Sequence, residues 1–126
     1  MDNERFERGM EMLNRVDGEQ GDKVMEALGD VAPDLARLMV EYAFGDVYSR
    51  PGLSLKDREL ITIAALAAKG GCEPQLKVHV HGALNVGWTR EEIVETFVQI
   101  SVYAGFPAAL NAIFAAKAVF AEREGK

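Results

Sequence analysis

Residues 60–68 read Leu-Ile-Thr-Ile-Ala-Ala-Leu-Ala-Ala, and this run decides the fold class. It is apolar around nearly the whole circumference of a helix, yet it is too short to span a bilayer. Ser54 and Asp57 stand just before it at the spacing of a capping box, which predicts a helix over about 55–69. No segment elsewhere alternates polar and apolar residues with the period of two that is typical of strands. The sequence therefore predicts an all-α protein.

The other helices follow from apolar periodicity and from the glycines and prolines that interrupt it. Thr89 and Glu92 form a second capping box. Gly70 and Gly71 leave only a short link between the fourth and fifth helices, so we expect those two to pack antiparallel. The pattern predicts a single domain, residues 1–126, built as a bundle of about six to seven helices. The remaining ones lie at about 4–16, 21–28, 33–48, 73–86, 90–104 and 107–124.

Composition narrows the classes of protein and partner. The 126 residues carry a formal net charge of −6, and an acidic surface repels phosphate backbones, which argues against nucleic acid as a partner. The one cysteine, Cys72, cannot form an internal disulfide and favours a reducing compartment. The first eight residues are charged and lack the apolar core of a signal peptide. We therefore expect a cytoplasmic protein that does not bind membranes.

Two helices carry more apolar surface than one buried stripe needs. Besides residues 60–68, the segment 108–121 alternates alanines with larger apolar side chains around the helix. A helix that is apolar on all sides must be covered on all sides, and a seven-helix domain has little room to enclose two of them. We expect neighbouring subunits to cover these helices in a homo-oligomer. The alternative is a tightly packed monomer core.

The two histidines lie on different faces of the fifth helix. His79 shares its face with Leu76, Val80 and Ala83, so it should point inward. It is either a core histidine bonded to a backbone carbonyl or a general acid/base in a dry pocket. His81 falls on a polar face, where a solvated or interface residue is the favoured interpretation. Two histidines at i and i+2 point about 200° apart, so we predict no metal site.

Arg58 and Glu59 stand one turn before the fully apolar part of the fourth helix. Both could belong to a solvated first turn, where the helix dipole favours Glu59. In a functional interpretation, the planar fork of Arg58 binds a substrate carboxylate. Glu59 then transfers a proton or orients His79.

Cys72 opens the fifth helix, where exposed amide groups stabilise a thiolate. A disulfide relay of the CxxC kind needs a second cysteine at position 75, and that residue is Gln75. The spacing therefore argues against relay chemistry within the chain. A thiol reaction with an external partner stays open as an alternative.

Five blocks of the sequence, in order and in register, resemble the carboxymuconolactone decarboxylase family. They are the stretches 41–53 (EYAFGDVYSRPGL), 58–64 (RELITIA), 76–87 (LKVHVHGALNVG), 89–93 (TREEI) and 103–109 (YAGFPAA). Each block alone would be weak, but together they cover nearly the whole chain. The resemblance is closest to the decarboxylase branch that lacks CxxC. It implies an all-helical fold of the alkyl hydroperoxidase D type, assembled as trimers or hexamers.

The resemblance also implies a reaction and a set of site residues. It implies cofactor-free decarboxylation of a small anionic unsaturated lactone such as 4-carboxymuconolactone, in the degradation of aromatic compounds. His79 matches the family's motif histidine, and with Arg58 and Glu59 it forms the predicted catalytic set. Arg50 and His81 are predicted to bind the substrate. Glu59 stands where the dedicated decarboxylase is expected to have a small polar residue.

Two other functions stay open at this point. One is a thiol peroxidase or antioxidant protein that uses Cys72 with an external thiol. The other is a family member without catalytic activity, acting as a binding or assembly module. No cofactor and no metal is expected for the decarboxylase.

Overall fold

The computed structural model describes residues 3–125, which form helices and no strand. The predicted all-α class is therefore confirmed. The described part divides into two compact units, the first ending at Leu55 and the second beginning at Lys56. The prediction of a single domain stays a prediction. The elements are α1 (Glu4–Asp17), α2 (Glu19–Gly29), α3 (Pro33–Leu38), a π-helix (Met39–Val47), α4 (Leu55–Lys69), α5 (Glu73–Asn85), α6 (Arg90–Ala104) and α7 (Phe106–Glu124).

In the first unit, α1 crosses the π-helix with backbone against backbone. A Cβ atom added at Gly9 would lie 2.2 Å from the carbonyl oxygen of Val40, and one added at Gly45 would lie 2.4 Å from that of Arg5. Only glycine fits at such distances. The side chain of Arg5 closes the same crossing through two hydrogen bonds to Asp46, and these bonds lower the pKa of the Asp46 carboxyl.

The π-helix corrects the prediction of one continuous α-helix over 33–48. The α-helix ends at Leu38, and the wider turns of the π-helix follow from Met39 to Val47. The backbone N–H of Tyr48 donates to the carbonyl of Ala43, five residues back, at 2.8 Å. α- and π-helices differ in the partner of each N–H group rather than in residue type, so the apolar pattern contained no signal for the change.

In the second unit, α4 to α7 contribute to one apolar core. Alanines on α7 are buried there, which brings the neighbouring helices close to its backbone. The helix bounds agree with the predicted 55–69 and 90–104, and α7 begins one residue before the predicted start. The core is made of Ile63, Ala67, Leu76, Val80, Ala83, Ile93, Phe97, Ala112, Ala115, Ala116, Val119 and Phe120.

The predicted capping box at the start of α6 is confirmed. The hydroxyl of Thr89 accepts a hydrogen bond from the backbone N–H of Glu92 at 3.1 Å, and the Glu92 carboxylate accepts one from the backbone N–H of Thr89 at 3.0 Å. This second bond favours the ionised carboxyl and lowers the pKa of Glu92. The capping box predicted at Ser54 stays a prediction.

The second unit also presents large apolar side chains at its surface. They follow one another along the outer sides of α6 and α7, and Phe114, in the middle of the predicted all-apolar helix, is 61% exposed. We call this set the α6/α7 apolar face: Val98, Val102, Phe106, Leu110 and Phe114. Within residues 3–125, no helix combines the length and the apolar character needed to cross a membrane.

Candidate active site

The two helices that carry the predicted catalytic residues are α4 and α5. Gly70 and Gly71, which join them, have φ angles of +73° and +72°, a backbone region that favours glycine. Near the start of α4, Glu59 contacts His79 in the middle of α5, and Lys56 contacts Trp88 just beyond the end of α5. The beginning of α4 therefore lies beside the later part of α5, which confirms the predicted antiparallel arrangement.

Glu59 is buried because of its place in the helical repeat. It lies four and eight residues before Ile63 and Ala67, so the three side chains point to the same side of α4 and enter the unit together. Its exposed fraction is 0%. The interpretation of Glu59 as part of a solvated first turn is thereby wrong. A carboxyl group in this position must be hydrogen-bonded, since burying an unpaired charge is very costly.

His79 supplies a partner for that carboxyl group. The Nδ1 atom of His79 lies 2.6 Å from Oε1 and 2.9 Å from Oε2 of Glu59. The side chain of His79 is 17% exposed, so the ring bridges the buried carboxylate and the surface. The alternative interpretation, a core histidine bonded to a backbone carbonyl, did not include the Glu59 carboxylate as a partner of the ring.

This pairing fixes what the imidazole can do. When the Glu59 carboxyl is ionised it only accepts hydrogen bonds, and Nδ1 then carries the proton of the His79–Glu59 bond. Nε2 is then the ring nitrogen that can exchange a proton with another group. When Nε2 is also protonated, Glu59 balances the positive charge of the ring. The pair has the form of a carboxylate that orients a histidine for acid/base work, as in many enzymes.

Arg58 precedes Glu59 on α4, and its direction around the helix differs from that of Glu59 by about 100°. The side chain is half-buried and its Nε atom is buried. The carbonyl of Arg58 accepts a hydrogen bond from the hydroxyl of Thr62 at 2.9 Å, one turn further along. Arg58 therefore extends from an ordered turn of α4, and its role with His79 stays a prediction.

His81 was expected to be a solvated or an interface residue, and its burial contradicts the first of these interpretations. Its exposed fraction is 5%, and both ring nitrogens contact the end of α7. Nε2 lies 3.0 Å from the Glu122 carboxylate, and Nδ1 lies 3.2 Å from the Arg123 guanidinium, which also donates to Asn85. Because arginine only donates, Nδ1 accepts and Nε2 donates. His81 is thus occupied in joining α5 to α7, and its role in substrate binding stays a prediction.

The other predicted residues lie at the ends of elements. Arg50 belongs to the first unit, in the turn after the π-helix, with an exposed side chain. Cys72 is the N-cap residue of α5 and is half-buried, with Sγ 3.5 Å from the carbonyl oxygen of Gly70. Of the predicted set, the structure brings Glu59 and His79 into contact.

Comparison with known proteins gives the family. The family model described as "Carboxymuconolactone decarboxylase family" matches residues 33–118, a segment that contains α3, α4, α5, α6 and most of α7. The chain belongs to this family. The resemblance deduced from the five sequence blocks is confirmed, and Glu59 and His79 both lie inside the matched segment.

The chain is also similar to three individual proteins. A 4-carboxymuconolactone decarboxylase of Acinetobacter baylyi is 38% identical over 120 residues, covering 94% of this chain and 89% of that protein. An uncharacterised 15.0 kDa protein of Paracoccus denitrificans is 40% identical over 101 residues, covering 79% and 75%. A nitrosuccinic acid decarboxylase of Metarhizium robertsii is 32% identical over 111 residues, covering 86% and 76%.

Proposed function

We propose that this chain is a carboxy-lyase that removes CO₂ from a small anionic substrate, and that the substrate is 4-carboxymuconolactone or a close analogue. The observation that carries the proposal is the similarity, over 94% of the chain, to a protein named for that reaction. The Metarhizium robertsii relative is named for nitrosuccinic acid, which is also a small dicarboxylic acid with an electron-withdrawing group. Both names fit a site that binds carboxylates and accepts developing negative charge.

The reaction sets three demands on the site. As the bond between the ring carbon and the carboxylate breaks, its electron pair moves through the ring double bond onto the lactone carbonyl oxygen. The site must hold a carboxylate, stabilise the resulting oxyanion and return a proton to carbon. The substrate is its own electron sink, so the proposal includes no cofactor. Preorganised charge in a dry site can supply several kcal/mol of the required stabilisation.

The described residues supply groups for two of these demands, the binding of a carboxylate and the return of a proton. Arg58 binds a carboxylate that the substrate retains, because a guanidinium matches a carboxylate in shape and charge. Nε2 of His79 delivers the proton to carbon and later takes another from water. Glu59 holds the ring through Nδ1 at 2.6 Å, so that Nε2 faces the substrate rather than turning away. His79 is thus the acid, and Glu59 is its positioning partner.

The test is a direct assay of CO₂ release from 4-carboxymuconolactone by the purified protein. We expect turnover in the wild type and a loss of about 10²–10⁴-fold in kcat for His79→Ala, the usual size of one acid/base contribution. Lys77→Ala on the exposed side of the same helix is the matched control and should keep wild-type turnover. A wild-type protein that releases CO₂ neither from this lactone nor from nitrosuccinic acid would refute the proposal.

The thiol alternative is tested separately, since Cys72 lies at the N-cap of α5 with Gln75 in the position that a second cysteine would need. In the decarboxylase, Cys72→Ser should keep CO₂ release within a few-fold of wild type. Peroxide turnover with an external thiol that disappears in Cys72→Ser would favour the peroxidase instead.

The proposal includes a homo-oligomer, a trimer or a hexamer, in the cytoplasm. The oligomer is supported by the α6/α7 apolar face, because exposed patches of this kind commonly mark protein interfaces. Phe114→Glu should dissociate the assembly, since the carboxylate would have to be desolvated in the interface. Glu95→Gln, an exposed change on α6, is the control. Wild-type protein that sediments only as a 13.8 kDa species would contradict this part of the proposal.

A further inference from the structure

We propose that Trp88 is a positioning residue for the active site: it holds the first turn of α4, and thereby the Glu59 carboxylate, in register with His79 on α5. The proposal rests on the function proposed above and adds a residue to it. Trp88 lies between α5 and α6 and contacts α4 in two ways. Its indole N–H donates to the backbone carbonyl of Lys56 at 2.6 Å, and the Lys56 ammonium lies 4.4 Å from the ring centroid.

The backbone of Trp88 is itself held from the α5 side. The backbone N–H of Trp88 donates to the carbonyl of Ala83, in the last turn of α5, at 3.0 Å. Gly87, just before it, has φ of +110°, a conformation that turns the chain sharply after α5. The next residue, Thr89, is the N-cap of α6. Trp88 therefore moves with the ends of α5 and α6, and its indole transfers their position to α4.

The contact lies one turn of α4 away from the candidate active site. Lys56 precedes Glu59 by three residues, and residues at this spacing lie on the same side of a helix. The Trp88–Lys56 bond and the His79–Glu59 bonds thus join α4 to α5 at successive points. A shift of the first turn of α4 changes the Nδ1–carboxylate distance directly. Misplacement by about 1 Å can cost about 100-fold in rate, which makes such a contact consequential.

The variant Trp88→Phe tests the proposal, since phenylalanine keeps an aromatic ring beside Lys56 but lacks the N–H donor. The chain has two histidines, so ¹⁵N-labelled histidine gives two ring spin systems, assigned with His81→Gln. We expect the Nδ1 resonance of His79 to move in Trp88→Phe. The ring of His81, held by Glu122 and Arg123, should stay unchanged and serves as an internal control.

Kinetics give the second readout. We expect kcat for CO₂ release to fall by about tenfold or more in Trp88→Phe, given the steep cost of misplacement. Lys56→Met keeps the backbone carbonyl and loses only the cation over the ring, so its effect should be smaller. Lys69→Gln removes a charge at the opposite, exposed end of α4 and should leave both readouts unchanged. A Trp88→Phe protein with an unaltered His79 ring and kcat within twofold of wild type would overturn the proposal.

Two further outcomes are separable. If the wild type acts neither on 4-carboxymuconolactone nor on nitrosuccinic acid, the proposed function is refuted. The His79 resonance still decides the role of Trp88 in that case. Should Trp88→Phe fail to fold, the coupling is measured in reverse, because Trp88 is the single tryptophan and its indole N–H gives one resonance. Glu59→Gln should then shift that resonance and Lys69→Gln, at the exposed far end of α4, should not; an unshifted indole in Glu59→Gln overturns the proposal.

Discussion

The pairing of Glu59 with His79 leads to a quantitative prediction about two substitutions of Glu59. Glu59→Gln keeps the size of the side chain and one oxygen acceptor for Nδ1–H, but it removes the negative charge. Glu59→Leu keeps most of the volume and removes every acceptor. Because Glu59 is fully buried, water cannot take over either role in the folded protein. The two variants therefore separate the charge of the carboxylate from its hydrogen bond.

The magnitudes follow from the kind of bond that the structure contains. A hydrogen bond to a charged group contributes about 1.5–3 kcal/mol and a neutral one about 0.5–1.5 kcal/mol. Glu59→Gln exchanges the first for the second, a loss of about 1–1.5 kcal/mol, or about 5- to 13-fold in kcat at about 1.36 kcal/mol per factor of ten. Glu59→Leu loses the whole bond, which corresponds to about 10- to 150-fold in kcat.

The assay is kcat for CO₂ release from 4-carboxymuconolactone, with circular dichroism and thermal unfolding to verify that each variant is folded. Glu95→Gln, an exposed glutamate on α6, controls for the loss of one negative charge and should match wild type. We expect kcat to be highest in the wild type, lower in Glu59→Gln and lowest in Glu59→Leu. Suppose that the His79→Ala protein is inactive but a folded Glu59→Leu protein has wild-type kcat. This result would show that the carboxylate does not position the histidine.

Four further predictions concern binding and stability. Arg58→Ala should raise KM by about 10- to 150-fold with a smaller change in kcat, the value of a lost charge-assisted bond of about 1.5–3 kcal/mol, measured by initial rates. Thr89→Ala should lower the free energy of unfolding by about 0.5–2 kcal/mol in urea titrations. The stabilisation from ionised Glu92, whose pKa is lowered, should be full above the ordinary glutamate pKa and lost as pH falls through the lowered one, so Glu92→Gln should lose its effect on Tm in acid. Gly9→Ala should destabilise by about 1–3 kcal/mol or more, because its Cβ would overlap a carbonyl of the π-helix, whereas Gly29→Ala meets nothing within 4 Å and should be neutral or stabilising.

Local signals were enough to locate the helices of the second unit. The capping box at Thr89 and the glycine pair after Lys69 mark where the backbone changes direction, and such marks depend on a few neighbouring residues. The π-helix had no such mark, because its hydrogen-bond register depends on how the chain packs rather than on residue type. Local patterns therefore predict where helices begin and end better than they predict the kind of helix.

The candidate active site was likewise predicted only in part from local patterns. Helical spacing placed His79 on the inner side of α5, and the position of Glu59 four residues before Ile63 gave the signal for its burial, although a solvated first turn was an open alternative. His81 was expected on a polar face, as a solvated or an interface residue. Its partner Glu122 lies 41 residues away on α7, and no spacing within α5 indicates a contact with a helix so distant in sequence. No signal in the sequence indicated the role of Trp88, because a bond to a backbone carbonyl leaves no pattern in the side chains.

The burial of Glu59 restricts the routes by which this sequence can evolve. If His79 is replaced first, the carboxylate keeps its cost of desolvation and loses the two contacts at 2.6 Å and 2.9 Å. Removing one member of a buried polar pair is more costly than replacing both members by apolar residues. Descendants of this chain should therefore retain both residues or lose both, and intermediates with one of them should be short-lived. Paired loss at these two positions would mark lineages that have abandoned acid/base chemistry while keeping the helical scaffold.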